Sequence, residues 1–226
     1  ALVAVGGTPL IELLRQFVSL ERGAPSHDTF SRVLRVLDPL AFNAAFMRFM
    51  AAFDEQARRD VPGGQLAVDG KSLRRAYAKG GAHMPPLVVT VFGCDTFMSL
   101  AQTVAGEGGE AEAAIAALKL LSLKGMTVTA DALHCHRRMT KTIRDGGGDY
   151  VITIKGNQSK LAAEAKAVLD KAAASPKARF DQTEENAHGR HEVRRGFVVP
   201  FAQSPGKNAL VDLVAVGRIE SWRTVN

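Results

Sequence analysis

The sequence predicts an α/β protein, in which a mixed β-sheet flanked by helices lies between a helical N-terminal segment and a β-rich C-terminal segment. Residues 1–62 carry apolar side chains at helical spacing. Residues 63–175 contain three strand-like segments, followed by alternating helices and strands. Residues 176–226 carry two further strand-like segments separated by a turn with Pro and Gly. These changes of pattern divide the chain into three predicted domains.

Three helices are predicted in residues 1–62. Thr8 and Pro9 suit the start of the first, Ser26 can cap the second, and Asp38 begins the third. The third helix carries phenylalanines at steps of four, three and four residues, which is typical of a helix side that faces a core. These residues are Phe42, Phe46, Phe49 and Phe53.

The central segment has the element order of the ribonuclease-H-like fold. Its predicted strands are 66–69, 87–92, 97–104, a segment ending at residue 131, and 150–154. In that order of elements, the first and fourth strands lie side by side. The predicted strands of the C-terminal segment are 193–199 and 210–219.

An aspartate ends two of the apolar strand segments. Asp69 follows Leu66–Val68, and Asp131 follows the segment that begins at Met126, 62 positions later in the chain. Ligands gather at the carboxyl ends of strands in open α/β sheets, and carboxylate oxygens are the ligands that Mg²⁺ prefers. The alternative is that each aspartate caps a turn. The occurrence of both acids in this topological order favours a metal site.

Composition favours a polyanionic partner. The chain has 226 residues, a net charge of +6 and a sequence pI near 9.5. Cys94 and Cys135 form no CxxC pair, which indicates a reduced, cytoplasmic setting. No apolar run approaches the length of a membrane span, and no signal peptide opens the chain. Because the chain begins at Ala1 without an initiator Met and ends at Asn226, shortly after a predicted strand, it is interpreted as a fragment.

Basic and polar residues near the aspartates are candidate DNA-binding groups. The strand-to-helix junction at Lys155 and Asn157 could hold a phosphate on its lysine and backbone N–H groups, although without the two aspartates an ordinary Asn N-cap would be the preferred interpretation. After Asp131, the basic residues Arg137, Lys141 and Arg144 follow at helical spacing and would form one face of a helix, although such charged faces are usually solvated surface. The candidates are Lys71, Arg137, Lys141, Arg144, Lys155, Asn157, Arg190 and Arg194.

Two further polar clusters are candidate metal sites. Residues 188–195 could supply a third carboxylate, Glu192, or form a basic hairpin, and the sequence leaves both interpretations open. His134, Cys135 and His136 are spaced too tightly for a zinc site that begins a helix.

Five short segments occur in a fixed order over nearly the whole chain. They are Pro25–Phe30, Val68–Arg74, Thr129–His134, Gly148–Gln158 and His188–Arg195. As an ordered set they resemble the H-repeat-associated insertion-sequence transposases of the DDE superfamily. The resemblance implies a helical associated domain, a ribonuclease-H-like catalytic core, Mg²⁺ or Mn²⁺ as cofactor, and action on the DNA ends of a mobile element by a homodimer. It places Asp69 and Asp131 on the first two catalytic acids of that family.

The chain departs from the family pattern in two places. Gly109 and Glu110 stand where the family often has Asn-Glu, so the Asn is lost. The third acid of related transposases lies on a helix after a β-rich insertion, and a tryptophan-rich segment with Ile-Glu-Asn resembles it in this family. No such segment occurs before Asn226, so the third acid is either Glu192 or a residue outside this chain.

The sequence is therefore compatible with three functions. The first is metal-dependent cleavage and strand transfer of DNA by a DDE transposase. The second is a catalytically inactive transposase remnant that binds DNA. The third is a metal-dependent phosphatase for small molecules, which would leave the basic charge and the helical N-terminal domain unexplained.

Overall fold

The computed structural model describes most of the chain as two compact units, residues 1–49 and 50–226. The described residues are 15–16, 19–21, 23–38, 41–42, 44–46, 48–49, 63–73, 86–176, 178–187 and 190–225. The domain boundaries at residues 62 and 175 stay predictions.

The first unit contains the second predicted helix, α1, His27–Val36. Ser26 caps it as predicted, because its hydroxyl oxygen accepts a hydrogen bond from the Thr29 N–H at 3.3 Å. Asp38 similarly accepts from the Ala41 N–H at 2.8 Å, and residues 41–42, 44–46 and 48–49 are helical. Thr8 and Pro9, which define the start of the first predicted helix, lie outside the described residues.

The phenylalanine stripe of the third helix is less buried than the sequence predicts. The Phe42 and Phe46 rings stack with their centroids 6.4 Å apart. However, Phe42 is 49% exposed and Phe49 is 62% exposed, so the core-facing prediction is wrong for these two residues. A unit of this size buries a small share of its surface, and α1 has no buried residue to cover them. Phe53 lies outside the described residues.

The second unit is built on a five-stranded mixed sheet flanked by helices, followed by a three-stranded sheet. In chain order its elements are β1 Gln65–Ser72, β2 Leu87–Gly93, β3 Met98–Val104, α2 Gly109–Leu118, β4 Thr127–Ala130, α3 Arg137–Asp145, β5 Asp149–Ile152, α4 Ser159–Ala173, β6 Asp181–Ala187, β7 Arg190–Pro200 and β8 Ala215–Val225. Short 3₁₀ turns, Ala132–His134 and Gly156–Gln158, precede α3 and α4.

The five strands lie in the order β3-β2-β1-β4-β5. Strand β1 is antiparallel to β2 and parallel to β4, and β4 is parallel to β5. The prediction that the first and fourth strands are neighbours is confirmed. Helix α2 packs against the sheet, mainly over β2 and β3. The core between this helix and the sheet includes five fully buried side chains, Leu66, Val89, Val91, Leu118 and Val128.

The C-terminal sheet differs from its prediction in two strands. Strand β6 was not predicted, because its sequence is polar and its described side chains are exposed, so that backbone pairing with β7 defines it. The predicted strand 210–219 is wrong in its first half, since β8 begins at Ala215. Leu210 instead lies buried in a loop, where the Gln203 side-chain amide binds both its N–H and its carbonyl oxygen.

The C-terminal segment shares a hydrophobic core with α4. Leu161 and Leu169 of α4 pack there with Phe201, Leu210 and Val216. Burial of these side chains therefore holds the three-stranded sheet to the rest of the second unit. Among the described residues, no helix is both long enough and apolar enough to cross a membrane.

Candidate functional site: two aspartates at paired strands

Asp69 and Asp131 lie next to each other in strand register. The last residue pair of the parallel β1–β4 ladder is Val68 with Ala130, and the two aspartates follow immediately. Strand β1 does not end at Asp69 as predicted, because antiparallel β2 continues to pair with it as far as Ser72. The acid therefore marks the end of the parallel ladder rather than the end of the strand.

Both aspartates belong to the same face of the sheet by strand alternation. Ala67 and Thr129 are register partners, and the Gln65 side chain donates to the Thr129 hydroxyl oxygen at 3.3 Å, so this face is continuous across the two strands. Two positions further along, the same face carries Asp69 and Asp131, and both are exposed. Neighbouring strands lie about 4.8 Å apart, a spacing at which two carboxylates can reach one cation.

Asp131 also caps the turn that follows it. Its Oδ1 accepts a hydrogen bond from the Leu133 N–H at 2.9 Å and fixes the 3₁₀ turn Ala132–His134. The turn-capping interpretation is therefore correct for this residue. It leaves Oδ2 outside the cap, so the cap and a metal-binding role are compatible.

A second set of hydrogen bonds holds this turn from the β5–α4 junction. The Asn157 amide donates to the Ala132 carbonyl oxygen at 2.5 Å, and the Gln158 amide donates to the Cys135 carbonyl oxygen at 2.8 Å. Asn157, which was predicted to bind DNA, is thus engaged in supporting the turn after Asp131. Lys155 at the same junction is exposed.

The basic face of α3 is largely occupied by contacts within the protein. Arg137 donates to the Ala209 carbonyl oxygen at 2.7 Å. Arg144 forms ion pairs with Asp149 and Asp212, and its pKa is raised, chiefly by the hydrogen bond to Asp212. Arg137 and Arg144 therefore attach α3 to the loop before β8. Their predicted role in DNA binding stays a prediction, as does that of Lys141, which pairs with Asp145 at 2.6 Å.

Glu192 lies in the three-stranded C-terminal sheet. It sits in β7 and forms ion pairs with Arg194 at 3.0 Å and Arg223 at 3.6 Å. Within the part of the chain that the structure describes, no group of three or more His, Cys, Asp or Glu side chains could hold a metal ion. The structure therefore does not bring Glu192 to the aspartates, and its catalytic role stays a prediction. Arg190 at the start of β7 is exposed.

Two residues beside the aspartates were not predicted as part of the site. Glu110, in the first turn of α2, lies against Gly70, and its Oε1 is 3.4 Å from Nε2 of His134. Glu110 appears in the sequence as the second half of an altered Asn-Glu motif, and His134 as part of a rejected zinc site. Only the packing of α2 on the sheet joins them.

The carboxylate oxygens of the two aspartates fit a hard divalent cation. Asp69 and Asp131 supply two carboxylates, and their exposure leaves room for water or phosphate oxygens in the remaining coordination positions. The nitrogens of the fully buried His134 ring have no hydrogen-bond partner among the described residues, so this ring adds an unsatisfied polar group next to the turn that Asp131 caps.

The N-cap of α3 provides a pH-dependent contribution to stability. His136 Nδ1 accepts a hydrogen bond from the Met139 N–H at 3.2 Å, which requires a neutral ring nitrogen. Desolvation lowers the pKa of His136, with smaller effects from His134 and Arg138. Since the unfolded chain takes up a proton first, stability is expected to fall as pH drops below about 6.5, the ordinary pKa of histidine.

Replacement His136→Asn keeps a capping side chain and removes the titrating ring. We expect the free energy of unfolding, measured by urea denaturation between pH 7.5 and 5.5, to fall less steeply in His136→Asn than in the parent chain. Parallel pH profiles for the two proteins would contradict this account.

Comparison with known proteins identifies the family. Residues 7–50 match the family described as DDE_Tnp_1-associated, and residues 62–197 match the Transposase DDE domain. A relative from Xanthobacter autotrophicus, named "Uncharacterized protein in dhlA 3'region", is 37% identical over 222 residues, covering 94% of this chain and 72% of the relative.

Two relatives from Escherichia coli K12 carry transposase names. "H repeat-associated putative transposase YhhI" is 31% identical over 191 residues, covering 83% of this chain and 49% of the relative. "H repeat-associated putative transposase YbfD" is 31% identical over 186 residues, covering 81% of this chain and 72% of the relative. The chain thus spans about half the length of YhhI.

Among solved structures, a piggyBac transposase synaptic complex with hairpin DNA is similar at a TM-score of 0.35 and 12% identity, over 85% of this chain and 45% of that one. The family models and the sequence relatives agree with the resemblance found from the five ordered segments. The chain belongs to the DDE transposase family, with the H-repeat-associated transposases among its relatives.

Proposed function

We propose that this chain carries the first two acids of a ribonuclease-H-like DDE site, which cleaves DNA phosphodiester bonds and transfers strands at insertion-sequence ends. The observation that carries the proposal is the register of β1 and β4, after which Asp69 and Asp131 follow side by side. Family membership supports the choice of DNA as substrate, because the matched model is a transposase domain.

The proposed chemistry assigns the aspartates to metal binding. When bound, Mg²⁺ or Mn²⁺ supplies Lewis-acid activation of water or of a DNA 3′-hydroxyl, together with positive charge beside the leaving oxygen. Asp69 and Asp131 would hold the ion through their carboxylate oxygens. The Asp131 cap, together with the Asn157 amide on Ala132, orients one of the two carboxylates before any ligand arrives.

The proposed DNA contacts are those predicted basic residues whose side chains form neither a hydrogen bond nor an ion pair within the part of the chain that the structure describes. Lys71, Lys155 and Arg190 are exposed and form no ion pair among the described residues. Lys71 lies two residues after Asp69, on the same face of β1 by alternation, and so is suited to a phosphate next to the scissile bond. Bringing two element ends together would require two copies of the chain, which makes a homodimer part of the proposal.

The proposal is tested by nicking of supercoiled plasmid that carries the DNA flanking the gene, with Mn²⁺, with Mg²⁺ and with EDTA. Binding of the same DNA is followed by fluorescence anisotropy. We expect salt-dependent binding in all three conditions and nicking only with a divalent ion. A chain that neither binds nor nicks DNA, but hydrolyses a small phosphomonoester with salt-insensitive affinity, would support the phosphatase instead.

A second candidate function, DNA binding without cleavage, is favoured by one observation. In the part of the chain that the structure describes, the metal-binding side chains do not form a group of three. Under this hypothesis, the chain binds DNA as strongly as in the first proposal but leaves supercoiled plasmid intact with either ion. The same assay separates the two candidates.

Lys71 provides a test of the DNA contact. Replacement Lys71→Ala is expected to weaken DNA binding several-fold and to reduce the slope of log affinity against log salt concentration by about 0.9, the value for one phosphate contact. The control Lys166→Ala removes the same charge from a lysine that already pairs with Asp170 and is not a predicted DNA contact. Equal slopes for Lys71→Ala and the parent chain would remove Lys71 from the proposed interface.

A further inference from the structure

Glu110 fills the space above the residue next to Asp69. It lies in the first turn of α2, whose helix packs on the sheet. A Cβ atom at Gly70 would overlap the Glu110 carboxyl group and would lie 2.9 Å from its Cγ. By strand alternation, Gly70 belongs to the face opposite Asp69, so Glu110 contacts the backbone from behind the site. The glycine at position 70 is therefore what allows this carboxylate to approach β1.

His134 contacts Glu110 from the 3₁₀ turn that follows β4. Its side chain is 1% exposed, and neither ring nitrogen has a hydrogen-bond partner in the part of the chain that the structure describes, yet Nε2 lies 3.4 Å from Glu110 Oε1. The two groups are close without hydrogen-bond alignment. A buried polar group without a hydrogen-bond partner is destabilising, and such groups are rarely retained in a core. The 3₁₀ turn that Asp131 caps ends at His134, and this turn fixes the ring relative to Asp131.

Glu110 thus contacts both segments that carry the aspartates. We propose that Glu110 and His134 form a positioning pair that holds Asp69 and Asp131 at the separation required by a divalent ion and thereby sets the affinity of the site for that ion. This inference rests on the proposed metal-binding role of the aspartates. Glu110 and His134 are positioning residues, because they act through the backbone at Gly70 and through the turn after Asp131.

The binding of Mn²⁺ alone to the full chain, measured by isothermal titration calorimetry, tests the pair without any activity. Replacement Glu110→Gln keeps the shape of the side chain and removes its charge. We expect it to weaken Mn²⁺ binding about tenfold or more, the range for groups that orient metal ligands. The control Glu112→Gln removes the same charge from the same helical turn, where Glu112 pairs with Arg138 instead. It should leave Mn²⁺ affinity within twofold of the parent chain.

Gly70→Ala provides a second, independent variant that keeps every charge. The added methyl group must displace the Glu110 carboxylate, since the two would overlap. We expect Gly70→Ala to weaken Mn²⁺ binding in the parent chain and to have no added effect in a Glu110→Ala background. Such non-additivity would show that the methyl group acts through Glu110. Circular dichroism spectra and melting curves of each variant establish that it is folded.

The possible results are distinguishable. Unchanged Mn²⁺ affinity in folded Glu110→Gln would overturn the positioning pair, as would equal weakening by Glu110→Gln and Glu112→Gln. If Glu110→Gln does not fold, additive effects of Gly70→Ala and Glu110→Ala, or no effect of Gly70→Ala, would overturn it equally. Parent-like Mn²⁺ binding in Asp69→Asn would instead overturn the proposed metal-binding role of the aspartates.

Discussion

Replacement Asp69→Asn is expected to reduce Mn²⁺-dependent plasmid nicking by about 100-fold or more, since loss of a metal-binding carboxylate removes ~3 kcal/mol or more of transition-state stabilisation. Asn keeps the size of the side chain and its ability to accept a hydrogen bond, and it loses the negative charge that holds the ion. DNA binding, measured by fluorescence anisotropy without divalent ions, should be unchanged or slightly stronger, because a negative charge near the phosphates is removed.

Asp131→Asn should reduce Mn²⁺-dependent plasmid nicking to the same extent, because it removes the charge without breaking the turn. The asparagine Oδ1 can still accept from the Leu133 N–H, so the turn after the strand is retained and the charge alone is lost. The matched control is Asp95→Asn, because Asp95 accepts from the Gln65 N–H at 2.7 Å at the opposite end of β1. This control should nick plasmid like the parent chain. Full nicking by Asp69→Asn would remove the first metal ligand from the proposed mechanism.

The parts of this site that the sequence predicts are those encoded by local patterns. The β1 and β4 segments are short apolar runs, and their alternate residues Leu66, Val68 and Val128 are buried as such runs indicate. The order of strands and helices then determines that β1 and β4 are neighbours. For this reason the adjacency of Asp69 and Asp131 could be predicted from residues that are 62 positions apart.

Long-range polar contacts could not be predicted in the same way. The sequence shows that Arg144 is basic, but not that Asp212, 68 positions away, neutralises it. Asn157 likewise looks like a helix cap, whereas its amide binds the Ala132 carbonyl oxygen. Each of these contacts depends on how a loop or helix packs, and no periodic pattern records it. For this reason, the predicted DNA-binding residues include Arg144 and Asn157, whose side chains bind other parts of the protein.

The Glu110–His134 contact shows the same limit for the metal site. Both residues occur near motifs that the sequence marks, but their proximity depends on α2 lying over the sheet and on the absence of a side chain at Gly70. A glycine inside a strand is a signal of close approach by another group. Position 70, next to a candidate catalytic acid, is where that signal could have been used.

Replacement Leu66→Ala is expected to cause a large loss of folding stability. Leu66 is fully buried in β1, and its register partner in the parallel ladder is Val128, which is also fully buried. Replacement Leu66→Ala removes apolar contacts and leaves a cavity beneath the strand that carries Asp69. The free energy of unfolding should fall by about 2–5 kcal/mol. For a unit of this size, the melting temperature should fall by about 6–12 °C, measured by circular dichroism.

Leu120→Ala is the matched control, because Leu120 lies between α2 and β4 with 55% of its surface exposed. Its effect should stay within about 0.5 kcal/mol. Below its melting temperature, Leu66→Ala should still bind Mn²⁺ with nearly the parent affinity, since the backbone ladder that sets the register of the aspartates is unchanged. Loss of Mn²⁺ binding in folded Leu66→Ala would show that side-chain packing under β1, and not only the register of the strands, determines the separation of the two carboxylates.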